Sequence, residues 1–177
     1  MMKMIELRKL DIKDAMGMLE WMHDPQTQEH FRIPMAEKTW EDALEFIKNA
    51  QVQPIDGGSI HYAIVDEKDE YLGTISLKEI SFSDKNAEYA ISLRKCAQGH
   101  GIGREATGQL LRIAFEKFGL ERVYLNVLAE NIPAVRLYEK CGFSLEGEFR
   151  KHLLLGGEYK TLKWYGILKE EYEKLWK

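Results

Sequence analysis

The chain has 177 residues, 45% hydrophobic and 31% charged, the size and composition of one globular domain over 1–177 with a sizeable core. Its 25 basic and 29 acidic residues leave a formal charge of -4, with no excess that would draw it to nucleic acid or an anionic membrane, although a local basic patch stays open. No stretch carries the roughly twenty apolar residues needed to cross a bilayer, and "MMKMIELRKL" lacks the apolar core of a signal peptide, so a cytoplasmic protein is expected.

In chain order, "MIELRKL" alternates like a strand, and Asp11 with Asp14 marks a helix start before "AMGMLEWMHD", which Pro25 ends. Thr39 with Asp42 repeats the start signal ahead of "WEDALEFIKNA", whose Trp40, Ala43, Leu44 and Ile47 share a helical face. After "DGG" come three strand-like runs, "SIHYAIVDE", "YLGTISLKEI" and "AEYAISLR", separated by short polar turns and read as an antiparallel meander. The glycine-rich "QGHGIG" then opens the helix "REATGQLLRIAFEKF", which Gly119 stops before the strand "ERVYLNVLA". Because a helix intervenes, strands 87–94 and 122–128 are expected to run parallel through a right-handed crossover. Pro133 starts a short helix through "AVRLYEKCG", and the strands "FSLEGEFRKHL" and "EYKTLKWYGIL" complete a mixed sheet. The tail "KEEYEKLWK" has the charge spacing of a solvated helix face.

The glycines invite two readings. Gly99, Gly101 and Gly103 between a strand and a helix suit a tight turn. They also suit a cradle in which backbone N–H groups and the helix dipole hold phosphate oxygens. No Lys-Ser/Thr pair follows the last glycine, so a Walker loop is excluded. Arg104 or Glu105 stands where a dinucleotide fingerprint needs its third glycine.

With Gln98, Gly101 and Gly103 in the motif positions, "QGHGIGREA" resembles the Q/R-x-x-G-x-G/A acyl-CoA loop of the GNAT N-acetyltransferase superfamily. "LNVLAENIPAVRLYEKCGF" is similar to that family's later segment, a strand followed by an Asn, a short helix, a Tyr and a terminal Gly-Phe. Specific motifs fall in 87–143, and the preceding residues match in outline alone. The resemblance implies a mixed α/β (α+β) fold with a mostly antiparallel sheet, helices on both faces and a central parallel strand pair splayed to admit acyl-CoA. It also implies acetyl transfer from acetyl-CoA to a primary amine by direct attack, with no metal.

Carried over by position, the pyrophosphate loop is Gln98, Gly99, His100, Gly101, Ile102, Gly103 and Arg104. Ile91, Ser92 and Leu93 face the pantetheine arm, and Asn131 binds it. The backbone N–H of Ile91 would meet the thioester carbonyl oxygen as it gains charge. Tyr138 takes the place of the family tyrosine that donates to the departing thiolate, its bland alternative being an aromatic packing residue. Glu88 is the candidate base, with an exposed strand glutamate or a water relay as alternatives, because alternation alone does not tell which face it occupies.

Among the remaining residues, His23, His30, His61, His100 and His152 lack the i, i+4 spacing of a helical metal pair and read as surface or structural histidines. Cys96 and Cys141 show neither CxxC nor zinc-ligand spacing, so free thiols are expected, Cys96 partly buried beside the loop. Trp164 and Tyr165 read as ordinary strand residues. The acceptor would lie between "DPQTQEHFRIPMAEK", where Phe31 and Arg32 are the candidate contacts, and "LLGGEY". The N- and C-terminal segments resemble the branch of ribosomal-protein alanine and amino-sugar N-acetyltransferases, which points to a small molecule such as an amino-sugar nucleotide. A protein N-terminus, a polyamine, a catalytically silent CoA-binding module and a homodimer stay open.

Overall fold

A computed structural model describes residues 4–31, 33–50 and 52–177. Seven strands form one sheet in the order β1-β2-β3-β4-β5-β7-β6. They are β1 (Ile5–Lys9), β2 (Ile60–Asp66), β3 (Tyr71–Ser81), β4 (Asn86–Leu93), β5 (Arg122–Leu128), β6 (Ser144–Leu155) and β7 (Glu158–Leu168). Every neighbouring pair is antiparallel except β4 and β5, which run parallel as the intervening helix required. The mixed α/β fold read from the sequence is the fold observed.

Two helices, α1 (Ala15–Met22) and α3 (Trp40–Asn49), cover the β1–β3 half of one face. Their apolar sides bury Ala15, Met18, Trp21, Ala43 and Ile47 against Val65 and Tyr71. Between them Pro25 does more than end a helix: with Asp24 as cap it opens a short one, α2 (Pro25–Gln28), as its fixed φ and missing N–H suit the first helical position. Trp40 departs from the expected face and stays 39% exposed, because it stands in the first turn, beyond the contact with the sheet.

The opposite face carries α4 (Ile102–Arg112), α5 (Ile132–Lys140) and α6 (Lys169–Trp176). Ala106, Leu110 and Leu111 of α4 pack with Val135 and Tyr138 of α5 over Tyr89, Val123, Leu125 and Ile167 of the sheet. A π-helical turn over Ile113–Lys117 continues α4 as far as the stop at Gly119. The tail is not merely solvated: Tyr172 is buried against Phe115 and donates to Glu116, and Trp176 donates to the Cys141 carbonyl. Among the described residues no helix is long and apolar enough to cross a membrane.

Candidate active site

The site begins where the sheet comes apart. β4 and β5 pair over only three positions, Asn86 with Arg122, Ala87 with Val123 and Glu88 with Tyr124. Beyond Glu88, β4 keeps its register with β3 alone, down to Leu93 opposite Gly73. A wedge-shaped gap therefore opens toward the carboxyl ends of the two parallel strands, where ligands bind in open α/β sheets. The Arg94 N–H donates to the Leu72 carbonyl at 2.8 Å, on the β3 side. Amides alternate in direction along a strand, so those of Leu93, Ile91 and Tyr89 turn to the open edge. The Ile91 amide thus faces the gap.

The glycine loop sits at the mouth of this gap. Gly99 and Gly101 hold φ of +77° and +79°, which L side chains rarely adopt, and a Cβ at either would meet nothing within 4 Å. No side chain caps α4, so the first-turn amides of Ile102, Gly103 and Arg104 present an uncapped N-terminus. Bare backbone, open space and a helix dipole together fit a diphosphate. Gln98 turns its amide back to donate to the Leu93 carbonyl at 3.3 Å, tying the loop to the strand end, and His100 is exposed.

Two loop residues also pack against the protein. A Cβ at Gly103 would come within 3.1 Å of the Leu137 side chain and 3.4 Å of Leu93, so this glycine permits close packing of α4 while its amide stays in the first turn. The Arg104 guanidinium lies over the Trp176 ring, 4.6 Å from its centroid, which leaves its amide as the loop-facing group. Asn131 caps α5, its side-chain oxygen accepting from the Ala134 N–H at 3.4 Å, while its amide nitrogen has no acceptor among the described residues.

Tyr138 and Glu88 approach the gap from opposite faces. Tyr138 projects from α5 onto the helix-covered face, where its ring meets Tyr89 and Phe143. Its hydroxyl has no hydrogen-bond partner among the described residues, yet it is not sealed from solvent, since Trp164 Nε1 is the sole buried side-chain polar atom left unpaired among them. Burial, with a smaller push from nearby Cys141, holds the phenol far above its ordinary pKa, so it stays a proton donor at any working pH. Glu88 alternates with buried Ala87 and Tyr89, which turns it to the opposite face. There its Oε1 accepts from Asn126 at 3.1 Å and faces Lys78 at 3.6 Å, and its Oε2 is unengaged among the described residues.

Behind Tyr138 runs a buried polar chain that the sequence did not announce. Tyr89 and Thr107 share a hydroxyl hydrogen bond at 2.7 Å, and Thr107 donates to the Gly103 carbonyl at 2.6 Å. The first turn of α4 is thereby tied to β4 and to the ring beneath Tyr138. Cys141 is buried beside this chain, its thiol pushed up to about 11 by burial, whereas Cys96, expected to be partly buried, is exposed. His61 is no surface residue: its Nδ1 meets Ser76 Oγ at 2.6 Å and its ring packs edge-on against Phe46. Among the described residues no group of three potential metal ligands comes together.

The two segments expected to enclose the acceptor do face each other. A cleft of about 620 Å³ is lined by Gln28, Glu29, Phe31 and Pro34 on one side and by Leu154, Gly156, Glu158 and Lys160 of the β6–β7 hairpin on the other. Glu130, just past the end of β5, forms part of its wall, which places the cleft at the carboxyl-end opening of the gap. Phe31 lines it while stacking on Trp21 at 5.9 Å. Arg32 lies outside the described residues. Lys160 bonds both Glu130 and Glu158, at 3.1 and 3.0 Å, and Glu29 is a third carboxylate in the lining.

Comparison with known proteins gives a consistent result. A family model described as an acetyltransferase (GNAT) domain matches residues 5–144. The spermidine N(1)-acetyltransferase of Vibrio cholerae is 29% identical over 158 residues, 88% of this chain and 90% of that protein. Its Escherichia coli namesake is 26% identical over 168 residues, 95% of this chain and 88% of that protein. A crystal structure of spermidine N-acetyltransferase from Vibrio cholerae in complex with CoA and spermine matches with a TM-score of 0.83 at 26% identity, covering 96% of this chain and 98% of that one.

Proposed function

The chain belongs to the GNAT acetyltransferase family and is an acetyl-CoA-dependent N-acetyltransferase, and we propose that the amine it acetylates is a primary amine of a polyamine such as spermidine. Acid lining of the acceptor cleft carries this reading: Glu29, Glu130 and Glu158 stand against Lys160 as the one cation among its described lining residues. A polycationic amine gains from such a field. An amino-sugar nucleotide, the acceptor favoured on sequence grounds, would bring its phosphates into it and lose. The acetyltransferases named above, spermidine enzymes by name, support the same choice.

In this reading the amides of the glycine loop and of the first turn of α4 hold the CoA pyrophosphate, which a backbone cradle grips without cationic side chains. The open-edge amides of Leu93 and Ile91 line up the extended arm, and Asn131 donates to it from the cap of α5. The Ile91 N–H meets the carbonyl oxygen as it gains charge. Glu88, reached from the other face, orients the attacking amine and takes up its proton directly or through water. Tyr138 delivers a proton to the departing thiolate, a task suited to a phenol that burial keeps protonated.

The experiment is release of CoA thiol from acetyl-CoA with spermidine, an amino-sugar nucleotide and an alanine-initiated peptide supplied separately. Turnover with spermidine at a kcat/KM at least tenfold above the other two supports the proposal. Preference for either alternative overturns it. Turnover of none of the three also overturns the choice of a polyamine as acceptor.

A further inference from the structure

Where β4 and β5 part, a side-chain hydrogen bond still joins them. Glu88 is the last residue of β4 paired with β5, opposite Tyr124, and Asn126 stands two residues farther along β5, beyond the end of the pairing. Strand side chains alternate between faces, so Asn126 shares with Tyr124 and Glu88 the face turned away from α4 and α5. From there its Nδ2 donates to Glu88 Oε1 at 3.1 Å, reaching diagonally back across the apex of the gap. Asn126 is exposed, and the buried residues on either side of it, Leu125 and Val127, hold the strand in place without it.

Two groups compete for that carboxylate. Lys78 stands directly opposite Glu88 on β3, and its Nζ lies 3.6 Å from the same Oε1. That is beyond the ordinary reach of an N–H···O hydrogen bond, about 2.7–3.2 Å, whereas the Asn126 contact falls inside it. An ammonium attracts a carboxylate more strongly than a neutral amide does, so Glu88 without Asn126 would settle against Lys78. The two pulls also differ in direction. Lys78 draws the carboxylate sideways over the intact ladder between β3 and β4. Asn126 draws it forward, toward the carboxyl ends of the parallel strands, where the gap widens and the Ile91 amide faces it. Both address Oε1, and Oε2 has no partner among the described residues.

Resting on the role proposed above for Glu88, we infer that Asn126 is the residue that positions this base, holding its carboxylate forward of Lys78 with Oε2 open to the amine. In the step it serves, the amine nitrogen bonds to the thioester carbon and the carbon–sulfur bond breaks. The proton the nitrogen sheds passes to Oε2, directly or through a water, while Tyr138 protonates the thiolate. Asn126 exchanges no proton itself. A side-chain amide suits this task, because it does not titrate and so donates to Glu88 at every working pH. A misplacement of about 1 Å at a reacting group can cost on the order of 10²-fold in rate, so even a partial retreat of Glu88 toward Lys78 is felt.

The test measures spermidine kcat/KM at saturating acetyl-CoA in Asn126→Ala, in Glu88→Gln, in the two combined, and in Asn126→Ala combined with Lys78→Gln. Glu88→Gln should lose roughly 10²-fold and Asn126→Ala about tenfold, with CoA affinity and melting temperature at wild-type values. Because Asn126 acts through Glu88, adding Asn126→Ala to Glu88→Gln should cost nothing more. Lys78→Gln should recover most of the loss in Asn126→Ala, since the competing cation is gone. Wild-type kcat/KM in Glu88→Gln overturns the base and its positioning together. A loss in Glu88→Gln beside wild-type rates in Asn126→Ala overturns the positioning alone. So does an Asn126→Ala loss that persists in full in the Glu88→Gln background, or that Lys78→Gln fails to relieve, since Asn126 would then act on the amine or on the fold.

Discussion

The ring of Tyr89 meets the ring of Tyr138 edge-on, with centroids 5.6 Å apart and planes at 84°. Tyr89 spends its hydroxyl on Thr107, whereas that of Tyr138 has no partner among the described residues, so two neighbouring phenols divide their work. One anchors the strand to α4, and the other is the phenol for which proton delivery is proposed.

Tyr138→Phe preserves that packing and removes only the unpaired hydroxyl. Thermal stability and CoA affinity should stay at wild-type values while kcat and kcat/KM fall together by roughly 10²-fold, the pattern of an interaction made in the transition state. Steady-state rates where chemistry limits turnover check this. An unchanged kcat would remove Tyr138 from proton delivery.

The two motif glycines should fail differently. Gly101→Ala forces a side chain into a φ of +79° yet meets open space, so the fold survives and CoA affinity drops. Gly103→Val drives bulk into Leu137 and Leu93 and should cost about 1–3 kcal/mol of stability first. Calorimetry beside thermal melts separates the two, and equal melting temperatures for the variants would reject the packing role of Gly103.

Charge in the acceptor cleft should tune the amine and leave the thioester alone. Glu158→Gln removes an attraction and raises the KM for spermidine, whereas Lys160→Gln removes the one opposing cation among the described lining residues and lowers it. Both shifts should shrink as salt is added, because exposed charges are screened. Shifts of the same sign in the two variants would contradict an electrostatic acceptor site.

His61 makes stability depend on pH. Burial first, and Lys78 second, lower its pKa below the ordinary 6.5, so the unfolded chain takes up this proton more readily than the folded one. The contribution is complete above the unfolded value and is lost as pH falls from there toward the folded value. His61→Gln should flatten the fall in the urea midpoint between about pH 7.5 and pH 5.5. An identical slope in the variant would place the acid sensitivity elsewhere.

Much of this architecture could be read from local chemistry. Asp11 with Asp14 and Thr39 with Asp42 do form reciprocal caps, and the parallel pairing of β4 with β5 follows from the helix between them. The face of Glu88 could not be read, because a period of two fits two phases and only the contact of Tyr89 with Thr107 chooses between them. The tail misled for another reason. Trp176 finds its partners at Arg104, Gly108 and Cys141, far back in the chain, and no local pattern encodes that meeting. Gly103 carries a similar lesson, since a motif shows where glycine is needed and not whether ligand or protein fills the space. Trp164 left no signal at all, because an orphaned donor exists only once its neighbours are in place.

The three-residue seam between β4 and β5 leaves two bare backbone edges inside the molecule, a hazard that proteins elsewhere blunt with charge, proline or a covering loop. In the reading proposed above, the cover is the extended arm of CoA, with amide groups of its own. The enzyme without its thioester should therefore exchange the Ile91 and Leu93 amide hydrogens quickly despite their central place in the sheet, and CoA should slow that exchange by closing the seam. A chain held at low CoA would also be the form most ready to stick to its own copies, so supply of the thioester would govern its solubility as well as its turnover.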